Sequence, residues 1–148
     1  MNILSIAIIV FLVLETSNVL MLYFTPGTRR GNGLGVFNAY EKSKKDPEVH
    51  ALVRYLINWV AGTKIIFIAL LIVILITGDT TTKLYSVIAL ILTIVTYFWR
   101  LHPAIKTMDS QDQITPKGYS KTLGLMIIGF MATFAVAMII YLLKSLIL

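Results

Sequence analysis

The chain has 148 residues, 57% of them apolar and 14% charged, against roughly 45–50% and 25% in an average soluble domain. The apolar residues fall in long unbroken blocks instead of amphipathic stripes, which excludes a water-facing core and points to an integral membrane protein. The absence of cysteine excludes disulfides, thiolate metal sites and thiol catalysis; the net charge of +6 reads as loop topology, with no nucleic-acid partner implied.

A hydrocarbon core about 30 Å thick takes roughly 20 apolar residues at 1.5 Å each. Four blocks of that kind run over about residues 4–24, 54–77, 84–101 and 122–143. Their length and their lack of period-two alternation make them helices, so the expected fold is all-α: one domain of four transmembrane helices in an antiparallel bundle. The first block has no basic leader and is interrupted by Glu15-Thr16-Ser17-Asn18, which reads as a mature helix and not a signal peptide. Residues 27–35 are glycine-rich and form a loop. After them, Val36, Phe37 and Tyr40 share a face opposite lysines, the pattern of a short interfacial helix on an anionic membrane surface. Asp46-Pro47-Glu48 predicts that the second long helix starts well before its apolar part. Gly78-Asp79-Thr80 predicts a short turn into the third, Pro103 is expected to close that helix, and Thr115-Pro116 to cap the fourth.

Basic residues set the expected orientation. Arg29, Arg30, Lys42, Lys44, Lys45, Arg54, Arg100, Lys106, Lys117 and Lys121 lie at one end of the blocks, and only Lys83 and Lys144 at the other. The positive-inside rule then places both long connections in the cytoplasm and both termini outside. Tyr23, Tyr55, Tyr97 and Trp99 fall near the inner interface, and Tyr85 and Tyr141 near the outer one, as aromatic belts. The lack of a targeting signal and the strong inner charge favour a prokaryotic plasma membrane.

An ionisable residue inside a span costs about 2.5–3.5 kcal/mol on insertion scales, so each one needs a partner or a task. Glu15 lies nine residues before Phe24, or about 13–14 Å from the inner boundary. Lys64 lies ten residues after Arg54 in the next block, or about 15 Å from the same boundary. The two share a level near the midplane, with Thr93 and Thr133 close to that plane and Asn18 one turn along from Glu15. One reading is a structural ion pair that lets both helices insert; the other is a site where Glu15 or Lys64 exchanges a proton or ion as a substrate passes. Asn58 fits an interhelical hydrogen bond, and Gly129, Thr133 and Ala137 form a small-residue stripe suited to close packing.

Other features carry less chemistry. His50 and His102, both near the inner edge, offer a pair of imidazoles to a haem or a divalent metal, but without a spacing signature. Arg29, Arg30, Lys42, Lys44 and Lys45 suit anionic lipid headgroups. Arg29-Arg30 lacks the spacing of a phosphate-binding loop, Asp109 and Asp112 lack that of a calcium loop, and no nucleophile is paired with a base, so no enzyme activity is indicated.

Leu14-Glu15-Thr16 resembles the first-helix glutamate of the small multidrug resistance transporters, which are also short four-span proteins. The likeness covers about one turn. The chain departs from that family in its long basic first connection, in Lys64 and in the aromatic pattern around the site. Two functional readings follow. The first is a small ion- or proton-coupled transporter or permeation protein, acting as a homo-oligomer through the Glu15–Lys64 level. The second is a non-catalytic assembly, immunity or regulatory protein whose Glu15–Lys64 pair is structural and whose basic loop meets anionic lipid or a partner subunit.

Overall fold

The computed structural model describes residues 2–31 and 33–147. Its regular structure is helical: α1 (Ile3–Phe24), α2 (Asn38–Ser43), α3 (Pro47–Thr77), α4 (Thr80–Ser110) and α5 (Tyr119–Ile147), with a 3-10 turn at Leu34–Val36. Helices α1, α3, α4 and α5 are long and apolar enough to cross a membrane and gather into a four-helix bundle.

Capping chemistry explains where these helices begin. Asn2 accepts the Ser5 amide at 2.8 Å and caps α1, while its own amide group reaches Thr80 Oγ1 at 3.4 Å and ties the start of α1 to that of α4. Asp46 accepts the Glu48 and Val49 amides at 3.0 and 3.2 Å, with Pro47 in the first turn where its missing N–H costs nothing. Asp79 accepts the Thr82 amide and hydroxyl at 2.7 and 2.6 Å, so that only Gly78 and Asp79 separate α3 from α4.

Two expected boundaries are overturned. Helix α4 does not end at Pro103 but continues to Ser110. An internal proline costs a helix about 3 kcal/mol; here the extra turns bury Ile105 against Val36 and Ile114, a gain of about 1.5–3 kcal/mol, and bring Asp109 to a hydrogen-bonded seat. Thr115-Pro116 does not cap α5, which starts at Tyr119. Thr115 is used elsewhere: its amide donates to Val36 O at 2.8 Å and its hydroxyl to Asn38 Oδ1 at 3.1 Å. The cap of α5 comes from Asp109, which accepts the Gly118 amide at 2.9 Å, the Ser120 amide at 3.0 Å and the Ser120 hydroxyl at 2.6 Å.

The two long connections are thereby clasped together. A bridge pairs Phe37 with Ile114, the Asn38 amide donates to Gln113 O at 2.9 Å, and the Asn38 side chain donates to Asp112 O at 3.0 Å. Val36 is fully buried and Tyr40 nearly so, each against protein. Of the three residues expected on one short helix only Tyr40 lies in α2, since Val36 ends the 3-10 turn and Phe37 precedes α2, and two of the three are turned into the chain.

Helix α1 is the hub. Its first half, through Leu4, Ile8 and Phe11, packs against Leu71 of α3, Val87 and Leu90 of α4 and Phe134 of α5. Its second half buries Val19 and Leu22 with Tyr40, Ile57 and Ala61. Away from α1 the long helices expose large apolar side chains, among them Ile76 at 75% and Leu92 at 64%, as expected where lipid, and not water, is the solvent. The small-residue stripe packs only in part: Ala137 is buried, Thr133 is exposed, and a Cβ on Gly129 would meet nothing within 4 Å. Steps of four residues drift about 40° around a helix, so the stripe winds off the contact.

Candidate functional site

Helix α1 carries Glu15 and α3 carries Lys64, and the structure brings them together: Lys64 Nζ donates to Glu15 Oε2 at 2.6 Å. The pair is not sealed, with 26% of the Lys64 side chain and 18% of the Glu15 side chain still accessible. One turn away on the same two helices, the Phe11 and Phe67 rings meet edge-on at 6.0 Å. Phe130 and Phe134 of α5 close on Phe11 at 6.0 and 5.4 Å. Four phenyl rings thus form an apolar floor on the side of the pair nearer the N terminus of α1.

Glu15 borders two spaces. The first is a cavity of about 290 Å³ between α1, α4 and α5, bounded by Glu15, Ser17, Asn18, Ile94, Phe130 and, at its far end, Gly31 of the first connection. The Gly31 carbonyl accepts the Tyr119 hydroxyl at 2.9 Å, which holds the loop against the start of α5. Gly31 has φ +54, a conformation that favours glycine, and a Cβ there would collide with the Met21 methyl and lie 3.2 Å from Asn18 Oδ1. The second space is a groove of about 440 Å³ between α1 and α3, bounded by Glu15, Trp59, Thr63, Lys64 and Phe67.

The hydroxyls expected around the pair do not reach it. Thr93 donates to Ala89 O at 2.8 Å and Thr133 to Gly129 O at 2.9 Å, each within its own helix, and both residues are exposed. In a span a threonine with no cross-helix acceptor bonds to the carbonyl one turn back. Asn18 lies on the cavity wall, whereas Asn58 is exposed on another face of α3.

The histidines belong to separate neighbourhoods. Ser43 Oγ lies 2.7 Å from Tyr40 O, to which it can donate, and 3.0 Å from His50 Nδ1. His102 stacks near Tyr97 and Phe98, ring centres 5.8 and 5.5 Å away, and lies over Gly124, where a Cβ would come within 3.2 Å of Nε2. Among the described residues no three His, Asp or Glu side chains gather as a metal site.

Arg29, Arg30, Lys42 and Lys45 are exposed, while Lys44 pairs with Glu41 at 2.8 Å, a hydrogen bond that raises its pKa. Likewise Asp112, 2.9 Å away, raises that of Lys117. At the opposite end, the hydrogen bonds from Thr82 hold the Asp79 carboxyl below the usual carboxylate range. Sequence reasoning missed the phenylalanine floor, the Asn38 clasp and the Asp109 cap. Tyr97, expected in the inner aromatic belt, is instead buried, and its hydroxyl is the one buried side-chain polar atom without a partner among the described residues. A signal existed only for Asp109, an acidic residue shortly before a helix start. No protein-family model, curated protein or solved structure matches the chain.

Proposed function

We propose that the chain is a small ion- or proton-coupled transporter or permeation protein, acting as a homo-oligomer, with Glu15 as the titrating group and Lys64 as its counter-ion. In this reading the four spans run antiparallel through a prokaryotic plasma membrane, with the basic connections inside and both termini outside. One observation carries it: Glu15 borders both the cavity that leads to Gly31 and the groove between α1 and α3. A single mid-span carboxylate thus borders two spaces walled by different helices. A proton or cation arriving at Glu15 displaces Lys64, and its departure restores the pair. The phenylalanine floor opposes a straight water path beyond the site, which favours exchange at Glu15 over an open pore. Four helices leave little room for a private pathway, hence the homo-oligomer.

Reconstituted vesicles with an imposed pH or cation gradient test this. Wild type is expected to dissipate the gradient faster than empty vesicles, and Glu15→Gln to return to the empty-vesicle rate while remaining folded. Unchanged flux in Glu15→Gln removes Glu15 as the coupling group.

A second reading, a non-catalytic assembly, immunity or regulatory protein with a structural ion pair, is favoured by the Thr93 and Thr133 hydroxyls, which bond within their own helices, and by the clasped, basic connections. It expects wild type to dissipate the gradient no faster than empty vesicles.

A further inference from the structure

A third space borders the same ion pair from the connection end. It is a groove of about 380 Å³ along α3, walled by Leu22, Leu34, Val53, Leu56, Val60 and Lys64. Lys64 closes the groove with its aliphatic stem, because its ammonium is held by Glu15 at 2.6 Å. From Val53 to Lys64 is eleven residues, or about 16 Å of helix. That is close to half of a hydrocarbon core about 30 Å thick. The groove therefore has the depth of one leaflet and an apolar lining throughout.

Its mouth is basic. Arg54 follows Val53 and is exposed, and Arg29 and Arg30, also exposed, stand shortly before Leu34 in the same loop. Lys44 Nζ lies 5.1 Å over the ring of Tyr40, and Tyr40 belongs to the apolar cluster that includes Leu22, Leu34 and Val53. An apolar slot alone accepts the chain of any lipid. A slot that begins among arginines selects for the headgroup as well, by about fivefold for each cation it meets.

We propose that this groove is a specific site for an anionic phospholipid of the leaflet at the connection end, with one acyl chain lying along α3 as far as Lys64 and the headgroup at Arg54, Arg29 and Arg30. The proposal rests on the basic first connection facing lipid, and it is independent of transport. A chain in the groove would lie against Val60 and Lys64, which also border the α1–α3 groove.

The test is native mass spectrometry of the full chain released from nanodiscs of equal phosphatidylglycerol and phosphatidylcholine. Wild type is expected to retain one phosphatidylglycerol per chain, enriched about fivefold or more over phosphatidylcholine. Val60→Trp, which fills the groove, is expected to lose the retained lipid. Arg54→Gln leaves the groove open and should keep a lipid while the preference falls about fivefold; it serves if Val60→Trp does not fold. Equal retention of the two lipids by wild type, or undiminished enrichment in a folded Val60→Trp, overturns the site. Because no gradient is measured, that failure leaves the Glu15 flux result untouched, and a failed flux assay leaves the lipid result untouched.

Discussion

The two halves of α1 are held by different physics. From Leu4 to Leu12 the helix is fixed by close apolar packing against α3, α4 and α5. From Glu15 onward it is fixed by an ion pair to α3 and by contacts with the first connection, with a cavity along one side. The first half resembles a protein interior, where each lost methylene is felt. Open space of about 400 Å³ also lies along the first half, between α1 and α5, but only in the second half does such a space border an ionisable group, which is what exchange of a ligand needs. The same helix serves as an anchor in one half and as the wall of a site in the other.

Breaking the packed half should cost most. Phe11→Ala removes the ring at the centre of the phenylalanine floor and should lower stability by about 3–5 kcal/mol, seen as a large fall in Tm in detergent; a shift of a degree or two would mean that the floor is soft. Next comes the ion pair. Lys64→Met leaves Glu15 without its partner and should cost about 3 kcal/mol, while Glu15→Gln combined with Lys64→Met should recover most of that loss. Additive single and double mutants would show the charges to be uncoupled. Smaller again is Asp109→Ala, expected to cost about 1–2 kcal/mol as a lost helix cap. Its local signature is faster hydrogen exchange at Gly118 and Ser120, and unchanged exchange there would assign the cap elsewhere.

The smallest effect is the pH dependence at the far end of the bundle. The Asp79 pKa is lower in the folded protein than in the unfolded chain, so its contribution is fully present above the ordinary carboxylate value of about 3.9 and is lost as pH falls through the depressed value. Wild type should therefore be more stable than Asp79→Ala at neutral pH, and the two Tm curves should converge in acid. A gap that persists below that range would assign the difference to something other than the carboxylate.

Much of the fold was legible from sequence because depth along a helix is a matter of counting. Rise alone puts Glu15 and Lys64 at one level, and block length alone finds four helices that can span. Asp46 and Asp79 declared helix starts because a cap acts within three residues. Direction around the helix axis is different, since it depends on how helices cross. Counting places Thr93 and Thr133 near the level of the pair, yet their hydroxyls bond within their own helices. Pro103 misled for a related reason: the local cost of a proline was visible, whereas the burial of Ile105 and the seat of Asp109 depend on Val36, Ile114 and Ser120, which are distant or later in the chain. The clasp through Asn38 joins residues more than seventy positions apart, and no local pattern announces it.

The unbroken passage of α4 through Pro103 has a mechanical consequence. Its 31 residues make a rod about 46 Å long, well beyond a hydrocarbon core of about 30 Å. One end is tied to the start of α1 through Asn2 and Thr80, and the other carries Asp109, which grips the start of α5. Helix α4 thus links the start of α1 at one end of the bundle to the start of α5 at the other, so one continuous element holds both ends in register.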